Sequence, residues 1–239
     1  MKVYVGFDSS EPEAYRVTTE SLLACSGMRA EKLCMAQLRD RGLWHRVADS
    51  RGGQMFDFNS GAHCSTEFAI SRFLVPILCQ QGWALFVDSD VIFLADPREL
   101  LKEADSSKAV MCVQHQHNAK GLKMVNKIQQ PYPRKNWSSV MLFNCDHPAN
   151  RRLTLDDVNR RPGRDLHAFY WLSDNEIGKL QPEWNWLVNV MEKPKNPKIA
   201  HFTNGGPWLE NWAGADHDEL WQHWAERRYK ENRIEKTSL

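Results

Sequence analysis

The chain has little that would place it in a membrane or on a nucleic acid. Its 239 residues contain no apolar run near the roughly 20 residues that cross a bilayer. Its 31 Lys and Arg nearly balance its 30 Asp and Glu, so the formal net charge of +1 creates no global field toward an anionic partner. Internal repeats and low-complexity segments are also missing. These absences argue against a membrane-spanning or repeat protein, and they weigh against a nucleic-acid substrate without excluding one.

The sequence lacks any closely spaced pair of cysteines. The six cysteines include no C-x-x-C pair, and most lie in apolar runs, where a free thiol behaves as a small apolar side chain. This distribution indicates a reducing compartment and no structural zinc. The first residues lead directly into a predicted strand, with no visible signal peptide. We therefore expect a cytoplasmic protein.

The composition is that of an ordinary globular protein. Apolar residues make up 42% of the chain and charged residues 26%, which is enough for a sizeable core. Ten tryptophans are many for this length, and their flat rings suit both cores and stacking on sugars or bases. No linker is apparent, so residues 1–239 are predicted to form one domain.

Strand and helix signals alternate along the chain. The predicted strands lie at 2–8, 33–38, within 84–94, at 108–115 and at 138–145. The predicted helices lie at 10–27, at 65–81, from Asp96 onward and at 216–236. A strand–helix–strand opening implies parallel pairing, so we expect an α/β fold. Residues 116–136 are polar and predict a long loop or an insertion.

Local signals mark the helix ends. Ser10 is expected to cap the first helix, with Glu13 completing a capping box. Pro76 is expected to kink the second helix. Asp96, before Pro97, resembles a cap as well. The last predicted helix carries acidic residues early and basic residues late, which suits its macrodipole.

Two aspartates interrupt the most apolar strand of the chain. Residues 84–94 read ALFVDSDVIFL, so Asp88 and Asp90 follow a run that should be buried. Buried carboxylates are costly unless they are paired or bind a cation. Beyond the carboxyl end of a strand in an open α/β sheet, they can hold a divalent metal and, through it, a diphosphate. A polar turn between two short strands is the alternative interpretation.

Segments in a consistent order resemble the nucleotide-sugar glycosyltransferases of family 8. They are VGFD at 5–8, SRFLVP at 71–76, DSD at 88–90, SSVMLFN at 138–144, DNE at 174–176 followed by Leu180, Pro182, Trp184 and Asn185, and His201-Phe202 followed by GGPW at 205–208. The resemblance implies a GT-A fold, which is a Rossmann-like α/β fold with a mixed, mainly parallel sheet flanked by helices. It also implies a UDP-sugar donor and a divalent metal.

The resemblance assigns the metal to Asp88, Asp90 and His201. Carboxylate oxygens with one imidazole suit Mn²⁺ rather better than Mg²⁺. A hydrogen-bonded histidine near a turn is the alternative for His201. The residues implied in donor binding are Gly6, Phe7, Asp8, Arg72, Ser89, Gly205, Gly206 and Trp208.

Several of these donor residues have an alternative structural role. Phe7 and Asp8 are expected at the base or ribose, yet they could equally form a strand-end turn. Trp208 and Trp212 can stack on a sugar or belong to the core. Arg72 lies on an otherwise apolar helix, so it needs a partner, which is either the donor or a site carboxylate such as Asp88.

Family 8 enzymes retain the anomeric configuration of the donor. The resemblance therefore implies a group on the face of the sugar opposite the leaving group, and Asp174 and Asn175 are the candidates. The alternative is that Ser173 or Asp174 only caps the helical turn that follows.

The chain departs from the family pattern at several positions. Trp137 stands where the family usually has Asn, Ser139 where it has Gly, Asn175 where it has Gln, and Glu176 where it has Asp. Gly206 stands where a Lys normally faces the diphosphate. Another Lys or Arg would have to supply that charge.

The expected function is transfer of a hexose from a UDP-sugar to an acceptor, with retention. The acceptor is open among a glycan, a glycolipid, a protein and a modified nucleic-acid base; the basic residues within 116–136 would suit a phosphate-bearing one. A nucleotidyltransferase is an alternative, although residues 6–10 lack the basic loop such enzymes usually carry. A second alternative is a nucleotide-sugar-binding module with impaired catalysis, and Gly206 in place of the usual lysine is consistent with it.

Overall fold

A six-stranded sheet forms the centre of the molecule. The structure is a computed structural model that describes residues 1–51, 54–116, 122–123, 127–128, 134, 136–212, 214 and 216–226. The strands are β1 (Lys2–Gly6), β2 (Glu31–Leu33), β3 (Ala48–Arg51), β4 (Gln54–Asp57), β5 (Ala62–Cys64), β6 (Trp83–Val87), β7 (Val91–Phe93), β8 (Val110–Cys112), β9 (Leu122–Lys123), β10 (Lys127–Ile128), β11 (Val140–Asn144), β12 (Ile177–Lys179), β13 (Trp186–Leu187) and β14 (Ile199–His201).

Short helices connect the strands. The α-helices are α1 (Pro12–Ser26), α2 (Met35–Asp40), α3 (Val75–Cys79), α4 (Leu155–Arg160), α5 (Gly163–His167) and α6 (218–226). Turns of 3₁₀-helix lie at Ser71–Leu74, Pro97–Lys102, Trp137–Ser139, Pro148–Arg152, Asp174–Glu176, Pro182–Asn185 and Glu210–Trp212.

The central sheet is mixed and mainly parallel, as predicted. Its strand order is β12-β8-β11-β6-β1-β2. The pairs β1–β2, β1–β6 and β12–β8 are parallel, and β11 runs antiparallel to both of its neighbours. Strands β6, β8 and β12 therefore point the same way, and their carboxyl ends share one edge of the sheet. We call this edge the carboxyl edge.

Both faces of the sheet are covered. Along β6, Ala84 and Phe86 pack into one core cluster, and Leu85 and Val87 pack into the other. This alternation follows from the two-residue period of a strand. Because both faces are buried, the strand reads as a continuous apolar run rather than as alternating apolar and polar residues.

A smaller sheet joins the carboxyl edge. It has the order β13-β14-β7, with β14 antiparallel to β7 and parallel to β13. A third cluster of buried residues packs this sheet against α1 and α6. Trp221 of α6 is buried in that cluster, and Trp224 packs partly buried against it. The remainder of the predicted helix 216–236, beyond residue 226, lies outside the described residues.

The first helix begins differently from the prediction. Its N-cap is Glu11, without a side-chain capping bond, so the predicted capping box of Ser10 and Glu13 is wrong. The Ser10 hydroxyl instead donates to Asp8 Oδ1 at 2.6 Å. The predicted end is confirmed, because Gly27 has a φ of 69° and its N–H donates to the Leu23 carbonyl.

Two other predicted elements are corrected. The strand predicted at 33–38 ends at Leu33, and helix α2 follows it. The helix predicted at 65–81 is confined to a 3₁₀ turn and α3. Pro76 lies in the first turn of α3 and does not kink it, because the backbone N–H that proline lacks would have no partner within the helix there. Asp96 caps the next turn as predicted and accepts from Arg98 N at 2.9 Å.

The segment predicted as a loop or insertion, 116–136, lies mostly outside the described residues. Within it, β9 and β10 pair antiparallel. All six cysteines are free thiols. None of the helices in the described ranges has both the length and the apolar character needed to cross a bilayer.

Candidate metal and donor site

The two aspartates lie in a buried turn at the carboxyl edge of the central sheet. Strand β6 ends at Val87 and β7 begins at Val91, and the side chains between them include Asp88 and Asp90, which are 8% and 4% exposed. The backbone of the turn is held at both ends. Asp88 N donates to the Ser139 carbonyl at 3.0 Å, and the Asp90 carbonyl accepts from Phe202 N at 2.9 Å.

Strand pairing brings a histidine to these carboxylates. In the β14–β7 pair, His201 lies opposite Val91, directly after the turn. Its Nε2 is 3.2 Å from Asp90 Oδ1 and 4.0 Å from Asp88 Oδ2. One ligand atom from each of the three residues falls within 4.8 Å of the others, and all three residues are buried. The structure thus assembles the three residues predicted to hold a metal.

The hydrogen bonds of His201 prepare it to bind a cation. Its Nδ1 lies 2.9 Å from Asn185 Oδ1. The Asn185 amide nitrogen donates to Ser139 Oγ at 2.9 Å and points toward the Asn136 carbonyl, which fixes the amide oxygen toward the imidazole. Because an amide oxygen only accepts, Nδ1 carries a proton, and in the neutral imidazole Nε2 then presents its lone pair to the carboxylates.

That arrangement fits a divalent metal. In the part of the chain that the structure describes, His201 Nε2 is buried and receives no hydrogen bond. In the neutral imidazole, a lone pair facing two carboxylates is repulsive without a cation, and metal-binding histidines typically donate their other N–H to a neighbouring oxygen. Two carboxylates and one imidazole form a donor set that suits Mn²⁺ or Mg²⁺.

Arg72 contacts the cluster directly. Its Nη1 is 2.7 Å from Asp88 Oδ1 and 2.8 Å from the Ser138 carbonyl. The guanidinium carbon lies 4.9 Å from the ring centre of Phe86 and 5.3 Å from that of Phe68. The sequence left two partners open for Arg72, the donor and a site carboxylate. In the structure, Arg72 pairs with the carboxylate of Asp88.

Two residues near Arg72 were not predicted from the sequence. Ser138 Oγ lies 2.7 Å from Nδ1 of His167, at the end of α5. Burial and the nearby charge of Arg72 lower the pKa of His167 to about 3, so its imidazole is neutral at physiological pH. The signal that could have found it is a histidine just before the aromatic run at 169–171.

The end of β1 lies at the same carboxyl edge as the metal residues. Asp8 is buried, and its carboxylate accepts from Ser10 N, Ser10 Oγ and Glu67 N at 2.9, 2.6 and 3.1 Å. Phe7 packs edge-to-face on Tyr15, with Lys32 Nζ 3.4 Å from its ring centre. These bonds show the turn-forming role of Asp8, and its contact with a nucleotide stays a prediction.

Gly6 has a packing reason to lack a side chain. A Cβ at this position would lie 2.4 Å from the ring of Phe68. The glycine therefore allows Phe68 to pack against the backbone of β1. Donor binding by Gly6 stays a prediction, as does that by Ser89, which is buried between the two aspartates.

The glycines after β14 accommodate tryptophans. A Cβ on Gly206 would lie 2.0 Å from Trp208, and one on Gly205, whose φ is 122°, would lie 2.8 Å from Trp212. Trp208 stacks on Trp221 with ring centres 4.2 Å apart and donates from Nε1 to Glu11 Oε2 at 3.0 Å. Trp208 is thus part of the packing around α6, which was the alternative to sugar stacking.

The structure places Asp174 and Asn175 away from the metal residues. Strand β12 follows them, and its Ile177 lies opposite Val110 of β8. Through β11, Val110 lies at the same height in the sheet as Ala84 of β6. The metal turn follows Val87, about 10 Å further along the strand direction. Asp174 and Asn175 precede Ile177 and therefore lie toward the opposite edge.

The local bonds around Asp174 are structural. The Asp174 side chain is 92% exposed and pairs with Arg134. Ser173 and Glu176 form a capping box, which is the capping alternative raised for this segment. The Ser173 bonds and Arg152 lower the pKa of Glu176 to about 2. Among the described residues, the metal-ligand cluster consists of Asp88, Asp90 and His201, so Asp174 and Asn175 are not part of it and their catalytic role stays a prediction.

The fold is that of the GT-A glycosyltransferases. Over 95% of this chain, the structure is similar to the bifunctional glycosyltransferase WbbM, with 15% identity and a TM-score of 0.60. It is similar to GlyE of Streptococcus pneumoniae, with 12% identity and a TM-score of 0.56 over 94% of the chain, and to the galactosyltransferase LgtC, with 13% and 0.52 over 94%. The chain spans 50% of WbbM, 59% of GlyE and 95% of LgtC.

The family of the chain is shown by its similarity to a curated plant protein. The chain is 41% identical over 243 residues to Protein CDI of Arabidopsis thaliana, covering 98% of this chain and 89% of that protein. The chain therefore belongs to the family of Protein CDI. A scan against models of known protein families finds no match.

Proposed function

We propose that this protein is a metal-dependent glycosyltransferase that moves a hexose from a UDP-sugar to an acceptor. The observation that carries the proposal is the buried cluster of Asp88, Asp90 and His201 at the carboxyl edge of a GT-A sheet. Ligands of open α/β sheets bind at this edge. The order of the motifs supports family 8 as the nearest branch, and residues 1–239 are proposed to form one catalytic domain.

The chemistry requires charge stabilisation at the leaving group. Glycosyl transfer breaks the bond between the anomeric carbon and the diphosphate, which leaves negative charge on the diphosphate. Mn²⁺ or Mg²⁺ held by Asp88, Asp90 and His201 would offset that charge. Asn185 keeps the His201 lone pair directed at the site, and the turn between β6 and β7 keeps both carboxylates together.

Arg72 is the proposed substitute for the missing lysine at position 206. Its guanidinium is buried, and its bond to Asp88 places a permanent positive charge beside the metal residues. Arginine can bind a carboxylate and a second acceptor at once through its planar fork. We propose that Arg72 both orients Asp88 and adds positive potential where the diphosphate binds.

Several finer parts of the proposal rest on the family 8 resemblance. These are retention of configuration, hexose as the transferred sugar, and donor contacts by Gly6, Phe7, Asp8, Ser89, Gly205, Gly206 and Trp208. NMR of the first-formed product from an α-linked donor tests retention, and a β-linked product would contradict it. The six free thiols support a cytoplasmic location. The acceptor remains a glycan, a glycolipid, a protein or a modified nucleic-acid base.

The decisive experiment is calorimetric titration with UDP, with and without Mn²⁺. We expect binding only with Mn²⁺, and we expect Asp90→Asn to abolish it because a neutral amide replaces a metal-binding carboxylate. Asp156→Asn is the matched control, since Asp156 is an exposed carboxylate that pairs with Arg160. UDP binding that persists in Asp90→Asn or with EDTA would remove the metal-site proposal.

A screen of UDP-sugars then separates the enzyme from the alternatives. A glycosyltransferase should show slow, Mn²⁺-dependent hydrolysis of its donor to UDP, measured by chromatography. Metal-dependent binding without hydrolysis or transfer would favour the binding module. Release of pyrophosphate from a nucleoside triphosphate would favour the nucleotidyltransferase.

A further inference from the structure

A buried hydroxyl on α1 holds the middle of the metal-binding turn. We propose that Thr18 is a positioning residue for the metal site, because its hydroxyl fixes the backbone between Asp88 and Asp90. The inference rests on the proposed function, since it assigns a task to Thr18 only if that turn binds a cation.

The Thr18 hydroxyl is surrounded by backbone groups of the turn. Its Oγ1 lies 2.6 Å from the Ser89 carbonyl and 2.6 Å from the Val91 carbonyl, and Val91 N donates to it at 3.3 Å. A hydroxyl carries one proton and two lone pairs, so it shares its proton between the carbonyls and accepts the amide. Three backbone groups, from the turn and the start of β7, thus meet at a single oxygen atom of a fully buried residue.

This contact acts on both carboxylates at once. Ser89 is the residue between Asp88 and Asp90, so a rotation of its peptide unit would redirect both side chains. The ends of the turn are held by Ser139 and Phe202, and neither of those bonds involves Ser89. The Thr18 hydroxyl fixes the Ser89 carbonyl at the centre of the turn.

Thr18 lies in the buried face of α1, next to a second polar residue. The buried face of α1 consists of Ala14, Val17, Thr18, Ser21 and Leu22. Polar side chains in such a stripe need hydrogen-bond partners, and both polar residues find theirs in the turn and β7. Helix α1 is therefore a scaffold for the metal turn as well as a cover for the sheet.

Ser21 is the matched control on the same helix face. Its Oγ is equally buried, accepts from Phe93 N at 3.0 Å and donates to the Thr18 carbonyl at 2.9 Å. It anchors β7 beyond the metal turn, and it has no bond to residues 88–91 among those described. Removing its hydroxyl should affect packing to a similar degree without disturbing the turn.

The test compares Thr18→Val, Thr18→Ser and Ser21→Ala. Bound Mn²⁺ is measured by electron paramagnetic resonance of free Mn²⁺, with and without UDP, and melting temperature is measured without metal. We expect Thr18→Val to weaken Mn²⁺ binding by roughly tenfold or more, as supporting residues of metal ligands typically do. Thr18→Ser should retain near wild-type affinity. Ser21→Ala should lower the melting temperature and leave the affinity unchanged.

The outcomes separate the inference from the proposed function. If the wild type binds Mn²⁺ and Thr18→Val binds it equally well, Thr18 is only a packing residue and the inference is overturned. The same conclusion follows if Ser21→Ala weakens Mn²⁺ binding as much as Thr18→Val. If the wild type binds no Mn²⁺ in either condition, the proposed function fails, and the inference fails with it. If Thr18→Val does not fold, Thr18→Cys, with its weaker S–H donor, provides the same comparison.

Discussion

Individual residues at the metal turn carry more than one interaction each. Arg72 bonds Asp88 and the Ser138 carbonyl with one nitrogen and packs its flat face near two phenylalanines. A buried guanidinium with this many contacts has its geometry set before any donor arrives. The residue is therefore placed to act on the donor without the cost of reorganisation.

Replacing Arg72 by lysine should impair donor binding more than folding. Lysine keeps the charge but loses the planar fork and the stacking on Phe86. We expect Arg72→Lys to lower UDP-sugar affinity by roughly tenfold or more, about 1.4 kcal/mol, measured by calorimetry with Mn²⁺ present. Arg98→Lys is the control, because Arg98 is exposed, pairs with Asp96 and donates to the Ser26 carbonyl. Unchanged affinity together with a large drop in melting temperature would make Arg72 a structural ion-pair residue.

The segment after β14 shows why one element departs from the family pattern. Gly206 takes the place of a lysine, and the ring of Trp208 fills the space where a side chain would begin. Trp208 is in turn fixed by Trp221 and Glu11. A lysine at position 206 is thus sterically incompatible with the packing of α6.

Adding a side chain at position 206 should destabilise this element. We expect Gly206→Ala to cost about 1–3 kcal/mol of unfolding free energy, because the new methyl group overlaps Trp208. Denaturant unfolding measures this cost. In the double variant Gly206→Ala with Trp208→Leu, the costs should be strongly non-additive, because the smaller side chain removes the clash. Additive costs would show that Trp208 does not occupy that space.

At the scale of the whole molecule, strand direction decides which residues can meet. The ends of β1 and β6 and the end of the smaller sheet converge at the carboxyl edge, where the metal residues lie. The Asp174 turn leads into the start of β12, which runs parallel to β6 through two intervening strands. Its separation from the metal turn is a consequence of the sheet topology.

The location of Asp174 leads to a clear expectation. Asp174→Ala and Asn175→Ala should retain Mn²⁺-dependent donor hydrolysis within a few-fold of wild type, because neither side chain reaches the metal turn. The assay is the same chromatographic measurement of released UDP, with Asp90→Asn as the inactive reference. A loss of activity in Asp174→Ala comparable to that reference, with the melting temperature unchanged, would contradict this expectation and support the catalytic role implied by the family resemblance.

Local features of the fold were predictable because their causes are local. The apolar runs around Asp88 and Asp90 predict β6 and β7, and Gly27 predicts the end of α1 through its left-handed backbone. The N-terminus of α1 was mispredicted because the Ser10 hydroxyl bonds Asp8, which also accepts from Glu67 N, rather than a backbone N–H of its own helix. Residues 35–38 are helical although the short apolar pattern is compatible with a strand.

The features of the candidate site also fall into those that the sequence predicts and those that only the structure shows. The sequence by itself predicted the three residues of the Asp88, Asp90 and His201 cluster and the GT-A class of fold, because the order of the motifs and the Asp-x-Asp turn are properties of the chain. Only the tertiary structure decided the proton position on His201, the partner of Arg72, the hold of Thr18 on the turn and the distant place of Asp174. These depend on the register between strands and helices far apart in the chain, which local patterns do not specify.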